Sequence, residues 1–182
     1  IISFVMSISL IYNLYKKDII EFNIGNRLEE VTITRVVDGD TVVVLRDGEE
    51  ERIRLIGIDT PESVHPDKEK NTDIGELASE YTEDLLKEEM TVYIEFDKTE
   101  RDFFGRLLAY VWLEDKVSPT KKRDIKKYMV NAILLQEGYA IAHKYPPNIK
   151  NHELFSELQE KAKKEEMGLW EEYGKEMKAI TK

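Results

Sequence analysis

The sequence contains no cysteine among its 182 residues, which excludes disulfide bonds and thiolate metal sites. Histidine is also scarce. His65, His143 and His152 lack the spacing that zinc ligands show, and none of them is expected to be catalytic. No serine–histidine–aspartate or cysteine–histidine arrangement is apparent. The chemistry, if there is any, is therefore expected to rest on carboxylates and arginines.

Positive charge is in deficit, with 27 Lys and Arg against 37 Asp and Glu and a net charge of −10. Proteins that hold nucleic acid by bulk attraction are usually basic. This balance argues against such a protein, but a local site with its own arginines and a bound cation is compatible with it. The acidic excess lies mainly in segments 76–89 and 165–176, which we interpret as solvated helix faces.

Long apolar runs are missing as well, apart from the start of the sequence. Residues 1–14, IISFVMSISLIYNL, are shorter than the ~20 residues of a spanning helix but match the apolar core of a signal peptide. We expect residues 1–22 to be a signal or membrane anchor and residues 23–30 a linker. A globular domain, expected to be monomeric, should span 31–173, followed by a flexible tail at 174–182. The expected location is secreted or membrane-anchored.

The pattern of apolar residues predicts an α+β domain of mainly β structure. Asp47-Gly48 is typical of a hairpin turn, Thr72 of a helix N-cap, and the basic segment 117–127 of a mobile loop. Five strands with helices packed against them is the plan of the OB-fold barrel. The predicted strands are 31–37, 41–45, 52–58, 90–96 and 107–113, and the three predicted helices start near 72, 128 and 151.

Asp40 and Asp59 are the first candidate site residues. Asp40 opens the second predicted strand, Asp59 closes the third, and Asp47-Gly48 joins the two strands. The start of one antiparallel strand lies beside the end of the next, so the carboxylates should converge. Hard oxygen ligands of this kind suit Ca²⁺ or Mg²⁺. Considered alone, each aspartate is better explained as a turn residue or a strand end, and only the pair makes a metal site an equal alternative.

Arg54, Arg106 and Glu62 complete the candidate site. A guanidinium group fits phosphate oxygens and neutralises the charge that builds up in phosphoryl transfer. Glu62 follows the turn at Pro61, where a carboxylate could orient or deprotonate an attacking water. Considered alone, each of the three also fits a surface residue or an ordinary salt bridge.

Five segments, in this order and spacing, resemble the staphylococcal nuclease (thermonuclease) family over residues 31–170. They are VVDGDT at 36–41, RLIGIDTPES at 54–63, EFDKTERDFFGRLLAYV at 95–111, MVNAILLQEGYA at 129–140 and KAKKEEMGLW at 161–170. The resemblance implies a five-stranded OB-fold barrel with three helices and one Ca²⁺. It also implies hydrolysis of DNA and RNA phosphodiesters that leaves 3′-phosphate ends.

The resemblance also implies a role for each matched residue. Asp40 and Asp59 correspond to carboxylate metal ligands, and Thr60 corresponds to a ligand through its backbone carbonyl. Arg54 and Arg106 match the catalytic, phosphate-binding arginines. Glu62 matches the residue that activates water.

The sequence departs from the family where substrate is expected to bind. Phe103 and Phe104 replace a Lys-Tyr pair that grips a terminal phosphate, in a loop one residue shorter. A second phosphate-contacting tyrosine is replaced by His143 or displaced to Tyr145. Lost phosphate contacts should weaken binding more than the chemical step. The two phenylalanines could instead stack on bases, and the basic residues 121–123 are either compensating charge or a solvated loop.

Three functions compete. The first is an active calcium-dependent endonuclease, and the second is a non-catalytic OB-fold module that binds nucleic acid or protein. The third is a structural calcium-binding domain. The complete set of two aspartates, one glutamate and two arginines favours the nuclease. A binding module has no need of a water-activating carboxylate, and a structural calcium site does not explain the arginines.

Overall fold

A computed structural model of the protein describes residues 28–63 and 72–180. The predicted signal or anchor at 1–22 and most of the predicted linker at 23–30 lie outside the described residues. Within the described ranges, no helix combines the length and the apolar character that crossing a membrane requires.

The described part of the chain contains seven strands and five helices. The strands are β1 (Glu29–Asp38), β2 (Thr41–Arg46), β3 (Glu49–Leu55), β4 (Ile58–Asp59), β5 (Thr91–Arg101), β6 (Leu107–Trp112) and β7 (Ile141–Ala142). The helices are α1 (Asp73–Leu85), α2 (Lys122–Tyr128), α3 (Val130–Gln136), α4 (His152–Lys164) and α5 (Leu169–Ile180).

Five of the strands close into a barrel in the order β1-β2-β3-β6-β5, with β1 pairing β5 to seal it. All neighbours are antiparallel except β3 and β6, which run parallel. Valine and isoleucine dominate the buried positions of β1 and β2, where branched side chains pack well on a pleated surface. The predicted five-stranded OB-fold barrel is confirmed.

The β2–β3 hairpin has the register that its turn predicts. Thr41 pairs with Arg54 at one end of the ladder and Arg46 with Glu49 at the other. The two turn residues, Asp47 and Gly48, have φ of 51° and 86°. A two-residue turn of this kind needs positive φ at both positions, which glycine adopts without steric cost.

The third strand ends earlier than predicted. β3 stops at Leu55, the chain turns at Gly57, and Asp59 lies in a separate strand. That strand, β4, leaves the barrel and pairs with β7, Asp59 opposite Ile141. The sequence favoured one continuous strand because the apolar pattern runs through the break.

Two segments predicted to be irregular are helical. Residues 122–128, inside the predicted mobile loop, form α2, which buries Ile125. The Ser118 amide, just before this helix, donates a hydrogen bond to the Asp124 side chain at 3.0 Å. Residues 174–180, inside the predicted flexible tail, belong to α5, and Met177 there is fully buried. Tertiary burial of single apolar side chains stabilises both helices, which local pattern does not reveal.

A second hydrophobic cluster lies beside the barrel core. It consists of Ile74, Ala78, Ile141, Ala162, Leu169, Trp170 and Met177. Through Ile141 this cluster supports the strand that pairs with β4, and through Ile74 it supports the start of α1. The chain on either side of residues 60–62 is therefore anchored in packed apolar surface.

Candidate active site

The β2–β3 hairpin places Arg54 beside Asp40, whereas Asp59, predicted at the end of the same strand as Arg54, is carried by β4. The Leu55 amide donates to the Asp40 carbonyl at 2.8 Å, directly beside the Thr41–Arg54 pair. The Arg54 guanidinium forms ion pairs with Asp40 Oδ2 and with Asp59 Oδ1, the latter at 2.7 Å. The two predicted metal-ligand aspartates thus converge on a single guanidinium.

Asp40 is the most enclosed carboxylate of the site. Its Oδ2 accepts the Thr60 amide and its Oδ1 the Thr41 hydroxyl, each at 3.1 Å. Burial raises the pKa of Asp40 to about 6, against the opposing effect of the Arg54 charge, while Asp59 and Asp38 raise it further. An ionised Asp40 is therefore short of positive charge, even with Arg54 beside it.

The residues of this corner fit a hard divalent cation. Carboxylates, backbone carbonyls and waters are the ligands that calcium accepts, and Asp40, Asp59 and Thr60 offer the first two kinds. A bound cation would relieve the repulsion that Asp59 and Asp38 exert on Asp40. Thr60 is buried, and its hydroxyl has no hydrogen-bond partner. No group of three or more Asp, Glu or His side chains within 28–63 and 72–180 is arranged as a metal site, so waters would have to complete the coordination.

Glu62 is positioned by the start of α1. The Thr72 amide and hydroxyl both donate to the Glu62 carbonyl, at 3.0 and 3.3 Å. A Cβ at Gly75 would lie only 2.2 Å from that carbonyl oxygen, so glycine is required for this approach. Thr72 is also the predicted N-cap, and its hydroxyl accepts the Gly75 amide at 3.1 Å. The sequence marked the cap but not its contact with Glu62.

Arg106 is held by Asp102, a residue that the sequence analysis did not single out. Asp102 accepts the Arg106 amide at 2.9 Å and Arg106 Nε at 2.7 Å. The ordinary salt bridge that the sequence left open for this arginine is thus present, with Asp102 as the partner. The spacing of Asp102 and Gly105 was an available signal, because aspartate commonly accepts backbone amides within tight turns.

The candidate residues line a cleft of about 550 Å³. Its walls include all of the proposed catalytic and metal-binding residues together with Phe104: Asp40, Arg54, Asp59, Thr60, Glu62, Phe104 and Arg106. Two described residues predicted to bind substrate do not line it. Phe103 projects from the β5–β6 turn, and Tyr145 lies in the turn that pairs it with Asn148, partly buried against the barrel core.

The basic segment 121–123 lies away from this cleft. Lys122 pairs with Glu157 at 3.0 Å and Arg123 with Asp124 at 3.1 Å. Neither residue lines the cleft, so the structure gives no support to the idea that this segment compensates for lost phosphate contacts.

Comparison with known proteins identifies the family to which the chain belongs. A family model described as "Staphylococcal nuclease homologue" matches residues 52–172. The chain belongs to the staphylococcal nuclease family. The resemblance predicted from the sequence is thereby confirmed, and residues 173–180 of α5 lie beyond the match.

Similarity to individual proteins supports the same family. The "Thermonuclease" of Staphylococcus intermedius is 40% identical over 148 residues, covering 80% of this chain and 78% of that protein. The "Thermonuclease" of Staphylococcus hyicus is 40% identical over 141 residues, covering 76% and 73%. The "SPbeta prophage-derived endonuclease YokF" of Bacillus subtilis (strain 168) is 36% identical over 149 residues, covering 81% and 46%.

Proposed function

We propose that this protein is a calcium-dependent endonuclease that hydrolyses phosphodiester bonds of DNA and RNA and leaves 3′-phosphate ends. One observation carries the proposal: two aspartates, two arginines and a glutamate line a single cleft in a member of the staphylococcal nuclease family. The names of the thermonuclease and endonuclease relatives support the reaction class.

Arg54 and Arg106 are the proposed phosphate-binding residues. A guanidinium has five N–H donors, so Arg54 can keep Asp40 and Asp59 as partners and still donate to a phosphate oxygen. Arg106 is engaged through its Nε, which leaves the donors of its two terminal nitrogens for the substrate. Two such groups would neutralise the charge that accumulates on the phosphoryl oxygens.

Glu62 is the proposed general base. Its backbone is fixed against α1, and the residue lines the cleft. There it would take a proton from water as the oxygen attacks phosphorus and the 5′-oxygen departs. Asp40, Asp59 and the Thr60 carbonyl would hold Ca²⁺, which supplies Lewis-acid stabilisation of the phosphoryl oxygens.

The proposed partner is a nucleic acid substrate, taken up by a monomeric domain. A secreted or membrane-anchored location remains a prediction that depends on residues 1–22, outside the described residues. It would place the enzyme where extracellular nucleic acid is the substrate.

The test is digestion of plasmid DNA and of a defined RNA, with calcium or with a chelator. We expect calcium-dependent degradation by the wild type and its loss in Glu62→Gln, which keeps the shape of the side chain but cannot accept a proton. Glu88→Gln, an exposed glutamate between α1 and β5, is the matched control. Intact substrate after incubation of the folded wild type with calcium would favour the non-catalytic binding module.

A further inference from the structure

The turn between β5 and β6 displays two phenylalanine rings to solvent. Phe103 is 97% exposed and Phe104 is 81% exposed, whereas the other exposed large hydrophobics of the described chain are Leu45, Leu77 and Ile149, at 38–46%. Burying one such ring typically gains about 1.5–3 kcal/mol. Folding therefore does not explain this pair, and an exposed apolar pair next to a cleft indicates a contact surface.

The turn that carries the rings is fixed by hydrogen bonds. Asp102, whose side chain is 5% exposed, accepts the Phe104 and Arg106 amides and Arg106 Nε, all within 2.9 Å. The Asp102 amide in turn donates to the Arg106 carbonyl at 3.0 Å. The backbone beneath both rings is thus ordered before any ligand arrives, which lowers the entropy lost on binding.

The rings are continuous with the catalytic cleft. Phe104 lines the cleft, and the Arg106 guanidinium lies 5.8 Å from its ring centroid. Phe103 stands edge-on to Phe104, with the centroids 5.8 Å apart and an interplanar angle of 82°. A nucleotide whose phosphate met Arg106 would have an aromatic face within reach of its base.

The charge of the protein makes such a contact useful. With a net charge of −10, and with Asp38, Asp40, Asp59 and Glu62 in the cleft walls, the protein cannot hold a nucleic acid backbone by general attraction. Stacking of a base on an aromatic side chain is worth about 1–3 kcal/mol and does not depend on base identity or on salt release.

We propose that Phe103 and Phe104 form a base-stacking platform that holds unpaired bases of the substrate beside the cleft. This inference rests on the proposed nuclease function and names two residues that would bind its substrate. In a duplex both faces of each base are covered by its neighbours, so only single strands, loops and frayed ends present a free face. A lipid surface or a second copy of the chain would also cover apolar rings, but neither accounts for the position of Phe104 in the wall of the cleft.

The test measures binding rather than turnover. Fluorescence anisotropy is recorded with calcium, in the Glu62→Gln background, for a single-stranded oligonucleotide and for a blunt duplex of equal length. Phe103→Ala/Phe104→Ala should raise the Kd for the single strand about 10- to 100-fold and the Kd for the duplex less than about 3-fold. Phe103→Trp/Phe104→Trp should retain binding, and Leu45→Ala is the control for loss of an exposed hydrophobic side chain.

Salt dependence separates stacking from charge. The alanine pair should leave the slope of log Kd against log[NaCl] unchanged, whereas Arg106→Ala should reduce it by about one. An equal loss on both substrates, or none on the single strand, would overturn the platform. So would binding of phosphatidylglycerol vesicles, or dimerisation in sedimentation, that the alanine pair abolishes while oligonucleotide binding stays intact. Because binding is read without hydrolysis, failure of the wild type to cut nucleic acid would count against the proposed function separately.

Discussion

The cleft is built from two parts with opposite character. The strand part consists of Asp40, which directly precedes β2, Arg54 on β3 and Asp59 on β4. The Arg54 and Asp40 side chains are 11% and 8% exposed. The turn part, residues 102–106, stands at the tip of a hairpin, where Arg106 is 29% exposed and both phenylalanines are open to solvent. The charged groups of the strand part are therefore packed together away from water, whereas the turn part presents its side chains to solvent.

The difference in burial between the two parts should appear in the stability and the turnover of their variants. Substitutions in the strand part should change stability and turnover together, because the same carboxylates and guanidinium are buried and reactive. Substitutions in the turn part should change substrate binding or turnover at nearly constant stability.

Arg54→Ala should have the largest effect. It removes the partner of two carboxylates, one of them buried, and breaking a buried ion pair from one side costs about 3–5 kcal/mol. It should also lower turnover by about 10³-fold or more, because it removes a donor to the transition state. Urea denaturation and single-turnover hydrolysis measure the two losses.

Acidification provides the control for this variant. Loss of the Arg54 charge removes the effect that lowers the pKa of Asp40, so the carboxyl should take up a proton more readily. The loss of stability should then be smaller at pH 5 than at pH 7.5. A loss that is the same at both values would mean that Arg54 stabilises the fold by packing alone.

Arg106→Ala should reduce turnover by about 10²- to 10³-fold but lower the free energy of unfolding by only about 1 kcal/mol. The pair with Asp102 is partly solvent-exposed at its arginine end, and Asp102 keeps two amide donors when the guanidinium is lost. A large loss of stability with a mild loss of turnover would show that Arg106 only braces the turn.

Asp40→Asn should stabilise the metal-free protein at neutral pH. The folded pKa of about 6 lies above the ordinary value of 3.8, so the native state holds this proton more tightly than the unfolded state. Stability contributed by protonated Asp40 is complete below about pH 4 and is lost as pH rises through 6, a change on the order of 1–3 kcal/mol.

The measurement is urea denaturation in chelator between pH 4 and 8. Asp40→Asn should remove this fall in stability, whereas Asp47→Asn, in the exposed β2–β3 turn, should leave it unchanged. If Asp40→Asn were less stable than the wild type at pH 7.5, the carboxylate would be a net stabilising partner of Arg54.

Lys122→Ala/Arg123→Ala should have the smallest effect. Both side chains form ion pairs outside the cleft, and exposed pairs contribute about 0–1 kcal/mol. We expect a change of less than about 2-fold in KM for RNA. A clearly higher KM at low salt would restore the idea that this segment supplies compensating positive charge.

What the sequence predicted well was local. Asp47-Gly48 sets one register, and that register places Asp40 beside Arg54. Thr72 similarly marks the start of α1. These features depend on a few adjacent residues whose backbone preferences are strong, so pattern is sufficient to predict them.

What it missed depends on contacts between distant segments. The helical state of residues 174–180 requires Met177 to meet the cluster around Ile74 and Trp170. The break before β4 requires β7, more than eighty residues later, as a pairing partner. The contacts between Asp102 and Arg106 are local, since their partners lie within four residues, but Asp102 stands among several other charged residues in the sequence.

Calcium titration by calorimetry tests the central claim most directly, since the account holds that Asp40 and Asp59 form a cation site inside a phosphodiesterase cleft. We predict one calcium ion per wild-type chain, loss of that binding in Asp40→Asn and in Asp59→Asn, and its retention in Arg106→Ala. Calcium binding that survives both aspartate substitutions, or hydrolysis by a wild-type protein that binds no calcium, would contradict the account.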